Sequence, residues 1–195
     1  MKLVQYLIAF LLIQNCYSQT TPKKEVYIKD FKWSITVPEN FETVSPEDWK
    51  KMQNKGEKAI EDTFGQDIIN QSKTIFVFKS GQGNVLEANY QPFDKSVDGD
   101  YLESWNLVND ALYETFKTQL PKAKIVRKNS VEKIDNLDFN VHTMEITMPN
   151  NIVMTAIMYS RLFGKREFTL SVIYIVRSKG KMMLDAWKNS TFGMK

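Results

Sequence analysis

One histidine and one cysteine in 195 residues leave this chain short of reactive side chains. Zinc centres draw on His and Cys in numbers, and thiol or imidazole catalysis needs at least one such group with a partner, so most of that chemistry lacks its parts. The expectation is a protein with no catalytic residues, no cofactor and no metal. Eight glycines and six prolines are too few for a linker-rich chain. Charged residues at 25% and aromatics at 12% exclude disordered, collagenous and coiled-coil classes. Arginine occurs only at 127, 161, 166 and 177. The basic run Lys122, Lys124, Arg127 and Lys128 has no stacking aromatics between its members, so it reads as a solvated face and no nucleic-acid partner is expected. What the composition does supply is enough apolar residue for one core in one domain.

The amino terminus carries an address. Lys2 is followed by an apolar run from Leu3 to Ile13, then by polar residues and Cys16-Tyr-Ser18. A basic start, a short apolar stretch and small residues before a polar segment form a secretory signal peptide. A membrane span needs ~20 apolar residues, more than this run offers, so no transmembrane segment is expected in the mature chain. Cleavage after Ser18 makes residues 1–18 the signal peptide, 19–24 a flexible lead-in and 25–195 a single α+β domain. The protein is then exported, periplasmic or secreted. Lipidation of Cys16 is the alternative, but Asn15 is a poor residue to precede a lipidated cysteine.

Periodicity gives the elements. Phe31, Trp33, Ile35 and Val37 alternate with polar residues up to Pro38, as in a half-buried strand. Ser45-Pro-Glu-Asp48 is a helix start, with Ser45 as N-cap and Pro46 at the first position. Trp49, Met52, Ala59, Ile60 and Phe64 fall on its apolar face, and Gly65 is placed to end it. Residues 74–80 and 85–92 read as a hairpin joined through Gly81-Gln-Gly-Asn84. A second helix opens at Asp98 or Asp100, carries the stripe Leu102, Trp105, Val108, Leu112 and Phe116, and stops at Pro121. Four strands follow, at 124–134, 139–148, 152–163 and 168–176, with turns at Asp135-Asn136, Pro149-Asn-Asn151 and Gly164-Lys165. Met182, Met183, Ala186 and Trp187 mark a closing helix. Short turns between consecutive strands require an antiparallel meander, so the fold class is α+β, an antiparallel β-sheet covered by amphipathic helices.

The opening Phe31-Lys-Trp-Ser-Ile-Thr-Val-Pro38, followed by Ser45-Pro-Glu-Asp-Trp49, resembles the start of PsbP-like domains. That superfamily groups PsbP with the Ran-binding Mog protein and DcrB-type periplasmic proteins. The resemblance runs through the element order of nearly all the mature chain, to a final helix ending at Ser190-Thr-Phe192. It implies an α/β/α sandwich and a binding or assembly role. No catalytic residues are common to the superfamily, so none is transferred.

Several constellations imitate chemistry. His142 shares strand parity with Met144, Ile146 and Met148, whereas Glu145 points to the opposite face, so the imidazole reads as structural. Asp94, Asp98, Asp100 and Glu103 lack the ligand spacing of a calcium loop and suit helix capping instead. Ser130-Val-Glu-Lys133, Ser104-Trp-Asn106 and Lys79-Ser80-Gly81 mimic the boxes of penicillin-recognising enzymes in reversed chain order. Gly81-Gln-Gly83 lacks a third glycine and a following helix, so it is a turn. The methionines at 144, 148, 154, 158, 182 and 183 are the one distribution with a functional reading, because methionine adapts to apolar ligands and varied partners. Met144, Met148, Met154, Met158, Met182, Met183 and Trp187 are therefore the expected apolar ligand or partner surface, placed between the C-terminal meander and the last helix. Function is expected to be that of a non-enzymatic binding or accessory protein with an unknown protein partner. A carrier of a small apolar ligand in that methionine-rich pocket is the alternative.

Overall fold

The computed structural model describes residues 22–67 and 69–193. The signal-peptide and Cys16 expectations lie outside the described residues. The described residues run through β1 (Lys24–Ile28), a 3-10 turn (Lys29–Phe31) and β2 (Trp33–Val37), then β3 (Glu42–Thr43) and α1 (Pro46–Phe64). The hairpin β4 (Lys73–Lys79) and β5 (Val85–Pro92) leads to a single-turn α2 (Lys95–Asp98) and to α3 (Tyr101–Gln119). The meander is β6 (Lys124–Ile134), β7 (Leu137–Thr147), β8 (Val153–Phe163) and β9 (Arg166–Tyr174). It is closed by α4 (Arg177–Lys188) and β10 (Thr191–Phe192).

The described residues form two antiparallel sheets, where the sequence suggested one. The larger has the order β3-β4-β5-β9-β8-β7-β6, and the smaller has β1-β2-β10. The meander folds back so that β9 pairs with β5, from Val85↔Ile173 to Pro92↔Arg166. Its first turn uses Asp135 and Asn136, both with positive φ (45° and 63°), the two-residue geometry whose twist matches the flanking strands. Phe31 falls in the 3-10 turn rather than in the strand, but its ring is still buried. Ser190-Thr-Phe192 is not the end of a helix. Thr191 and Phe192 pair with Ser34 and Trp33, and the Phe192 N–H donates to Asp135 Oδ2 at 2.6 Å.

The large sheet is covered on both faces, by different kinds of layer. On one face the small sheet and α4 enclose an aromatic core in which Trp33, Phe139, Phe168 and Trp187 are all 0% exposed. The Trp33 and Phe192 rings stack at 5.8 Å, and Phe139 meets Trp187 edge-on at 5.1 Å. Such pairs add to the area each ring already removes from water. Gly180 lets α4 approach closely: a Cβ there would lie 2.5 Å from the Tyr174 ring.

On the other face lie α1 and α3. Ser45 caps α1 by accepting from Asp48 N–H, and Asp100 caps α3 by accepting from Leu102 and Glu103 N–H. Each helix buries its expected apolar face only in part: Trp105 is buried and Leu112 and Phe116 half-buried on α3, and Trp49, Ala59 and Ile60 are half-buried on α1, while Met52 and Phe64 are exposed. No residue of α1 is fully buried, and α3 buries Trp105, Asn109 and Thr115 while Leu102 and Val108 are exposed. The sheet face beneath is mixed: β5 and β9 present Glu87, Asn89 and Gln91 paired across to Ser171, Thr169 and Glu167, while β7 and β8 present His142, Met144 and Ile146 paired across to Met158, Ala156 and Met154.

Candidate binding cleft

A concavity of about 1120 Å³ opens where α1, β1 and the outer edge of β4 meet. Consecutive residues line it on both sides, Lys24 to Tyr27 from β1 and Thr74 to Phe78 from β4, so each strand presents its edge rather than one face. Among the described residues β1 pairs with β2 alone. β3 covers β4 only at Lys79 and Phe78, extended by Val44 N–H donating to Val77 C=O at 2.9 Å. The run Lys73–Phe76 therefore has β5 on one side and, among the described residues, no strand on the other. A β-bulge between Thr74 and Phe76 bends β4 at this point. Phe76, Val77 and Phe78 are buried beneath it, and Trp49 of α1 forms the roof, its Nε1–H donating to Thr74 Oγ1 at 3.1 Å. Lys24 and Lys50 stand at the rim with Glu25, and Glu57 accepts from Asn70 Nδ2.

The groups with shifted acidity lie elsewhere. Glu87 is 5% exposed, accepts from Asn89 Nδ2 at 2.7 Å and also bonds Ser171. Burial pushes its carboxyl up to about 7 despite those bonds. Burial likewise raises Glu167, which accepts from Gln91 Nε2 at 2.7 Å, and the Tyr101 hydroxyl beside it is raised too. His142 is buried against Trp105, with ring centroids 6.3 Å apart. Its Nδ1 meets Asn129 Oδ1 at 2.5 Å, while Asn129 Nδ2 donates to Asn106 Oδ1, so Nδ1 carries the proton and Nε2 is left bare. Burial, then the charge of Arg127, hold the imidazole below its usual range. Asp94 and Asp100 spend their carboxylates on the starts of α2 and α3.

The methionines do not line one pocket. Register pairs Met144 with Ala156, Met154 with Ile146 and Met158 with His142, all on the helix-layer side of the sheet. Met148 closes the β7–β8 turn, its N–H donating to Ile152 C=O. Met182, Met183 and Trp187 belong to α4, on the opposite side, where Met183 and Trp187 are 0% exposed in the aromatic core. The sheet stands between the two groups. A concavity of about 930 Å³ does lie between β7–β9 and α4, but Val153, Tyr174, Ile175, Leu184, Arg177 and Lys181 are among its lining and none of the seven expected residues is. The β1–β4 cleft had no sequence signal, because an unpaired strand edge is a property of topology rather than of side chains.

The layering of small sheet and α4, large sheet, and paired helices defines a PsbP-like fold. The solved structure of cyanobacterial PsbP (CyanoP) from Synechocystis sp. PCC 6803 matches with a TM-score of 0.52 at 8% identity, over 93% of this chain and 99% of that one. No family model and no curated protein matches the sequence.

Proposed function

We propose that the chain is an exported, non-enzymatic binding or accessory protein that holds an extended polypeptide segment in the β1–β4 cleft. The observation that carries this is the pair of strand edges facing one concavity over an apolar floor. Free backbone N–H and C=O groups on a strand edge accept an added strand, and alternate pockets then select its side chains. The Leu3–Ile13 run and Ser18 support export. Among the described residues no helix is long and apolar enough to cross a membrane, which is compatible with it. The shifted carboxyls and the imidazole sit beneath the helix layer in structural hydrogen bonds, which favours binding over turnover.

The test is selection from a displayed library of random twelve-residue peptides. Selected peptides are expected to slow amide exchange at Lys73–Phe76 and to lose binding when alternate peptide nitrogens are methylated. Peptides that protect other segments, or that tolerate methylation, refute strand addition. Turnover abolished by a single cleft substitution refutes the non-enzymatic reading. A second reading, carriage of an apolar small molecule, rests on the concavity between the meander and α4. It requires a reproducible lipid-sized adduct in native mass spectrometry that Val153→Asp removes.

A further inference from the structure

The outer side of the helix layer is a surface that neither reading uses. Leu107 and Val108 of α3 are 70% and 60% exposed, and Leu102 is 51% exposed. Phe64, at the end of α1, is 43% exposed. Of these, Leu107 and Phe64 meet at one groove, whereas Leu102 and Val108 point elsewhere round α3; exposed apolar side chains that adjoin mark a contact surface. Ile60 and Phe64 from α1 and Leu107 and Ala111 from α3 form the walls of a groove of about 420 Å³. Leu107 is two residues, or about 200° round α3, from the buried Trp105, which places it on the outer side of the helix beside α1.

The charge that lines the groove has one sign. Among the described residues, Asp110 and Glu114 are its charged lining. The last turn of α1 contains no basic residue, so the negative end of its helix dipole is left uncompensated beside Phe64. Asp110 is paired with Arg127, and Glu114 with Lys117 at 3.0 Å. Both cations, however, lie over the Tyr113 ring, at 4.2 Å for Arg127 and 5.2 Å for Lys117. Tyr113 is two residues from Ala111, or about 200° round the helix, so those cations are drawn to the flank away from the groove.

We infer that the α1–α3 groove docks an amphipathic helix of a partner protein, apolar on one face and flanked by Lys or Arg. Two adjacent helices with an apolar seam offer a third helix its packing site, and the acidic lining selects a basic one. An anionic membrane is disfavoured by the same acidic residues. This inference goes beyond the cleft reading: α1 turns Trp49 to the cleft and Ile60 with Phe64 to the groove, so either site can fail alone.

The probe is a synthetic fourteen-residue Leu/Lys amphipathic helix, with its Leu/Glu counterpart as control, added to the purified protein at low salt. Binding is read by fluorescence anisotropy and mapped by amide shifts. The Leu/Lys peptide is expected to shift Ile60, Phe64, Leu107 and Ala111. Leu107→Lys should weaken it by about tenfold or more, as loss of a central apolar anchor does. Val131→Lys, at another exposed apolar position on β6, should leave it unchanged. Equal binding of the Leu/Glu peptide, shifts centred elsewhere, or indifference to Leu107→Lys overturns the inference. So does a concentration-dependent dimer that Leu107→Lys dissociates, which assigns the groove to a second copy. Binding to phosphatidylglycerol vesicles that Leu107→Lys abolishes assigns it instead to lipid, and also overturns it.

Discussion

Glu87 makes the fold pH-dependent in a direction that can be worked out in advance. The residue lies on β5 between Val77 and Ser171 of the neighbouring strands, 5% exposed, with Asn89 and Ser171 as its hydrogen-bond partners. Burial raises its pKa from 4.5 to about 7, so the native state holds the proton more tightly than the unfolded chain does. Below the unfolded value both states are protonated and the contribution to stability is fully present. As pH rises the unfolded chain ionises first, and stability is lost progressively until the native carboxyl also ionises near pH 7, where the loss levels off. At ~1.4 kcal/mol for each pH unit of separation, the whole loss is about 3 kcal/mol. Glu87→Gln keeps the shape and the Asn89 bond but cannot ionise. Urea unfolding at pH 5, 6, 7 and 8 should find the variant ahead by only about 1 kcal/mol at pH 5, where the native carboxyl is still protonated. By pH 8 the variant should lead by about 3 kcal/mol, or roughly 6–12 °C in melting temperature for a domain of this size. Glu167, raised in the same direction, and His142, lowered, are present in both proteins and cancel in the difference. Parallel curves from pH 5 to 8 would refute the reasoning.

Other consequences follow from the packing. Gly180→Ala places a Cβ 2.5 Å from the Tyr174 ring, and calorimetry should show a loss of about 1–3 kcal/mol, largely relieved by adding Tyr174→Ser. Trp33→Ala empties the centre of the aromatic core, where Trp33 meets Phe76, Phe168, Trp187 and Phe192, and denaturant titration should register a loss of about 3–5 kcal/mol. Asp100→Ala removes the acceptor for Leu102 and Glu103 N–H and should cost about 1 kcal/mol, with Asp100→Asn restoring most of it.

Local chemistry was legible where one residue decides a local geometry. Ser45, Pro46, Gly65 and Asp100 bound the two long helices as the sequence suggested, because a cap depends on its own turn and little else. Asp135-Asn136 set the β6–β7 hairpin for the same reason. Period-2 alternation separated His142, Met144 and Ile146 from Glu145, but it could not say which of two covered faces each set would meet. That single ambiguity put Met144, Met154 and Met158 on the wrong side of the sheet from Met183 and Trp187. β1 was not among the expected strands, because its partner β2 lies across a 3-10 turn whose left-handed Lys32 gives no sequence signal.

The stripe on α3 is divided for a different reason. Apolar spacing gives the direction of a helix's buried face but not its width, and here Trp105 is buried and Leu112 and Phe116 half-buried while Leu102 and Val108, at the margins of that face, stay exposed. The sheet beneath is itself mixed, with Glu87, Gln91 and Glu167 on β5 and β9 beside His142, Met144 and Met158 on β7 and β8. Asn109 shares the buried side of α3 because its Nδ2 donates to Trp105 C=O at 2.9 Å, so the amide brings its own partner with it. The carboxyls of Glu87 and Glu167 have no such independence from pH, since burial raises both. A Glu87→Leu, Glu167→Leu double variant should therefore lose the fall in stability between pH 5 and 8, read by urea unfolding. A fall that persists in a well-folded double variant would place its origin in another group.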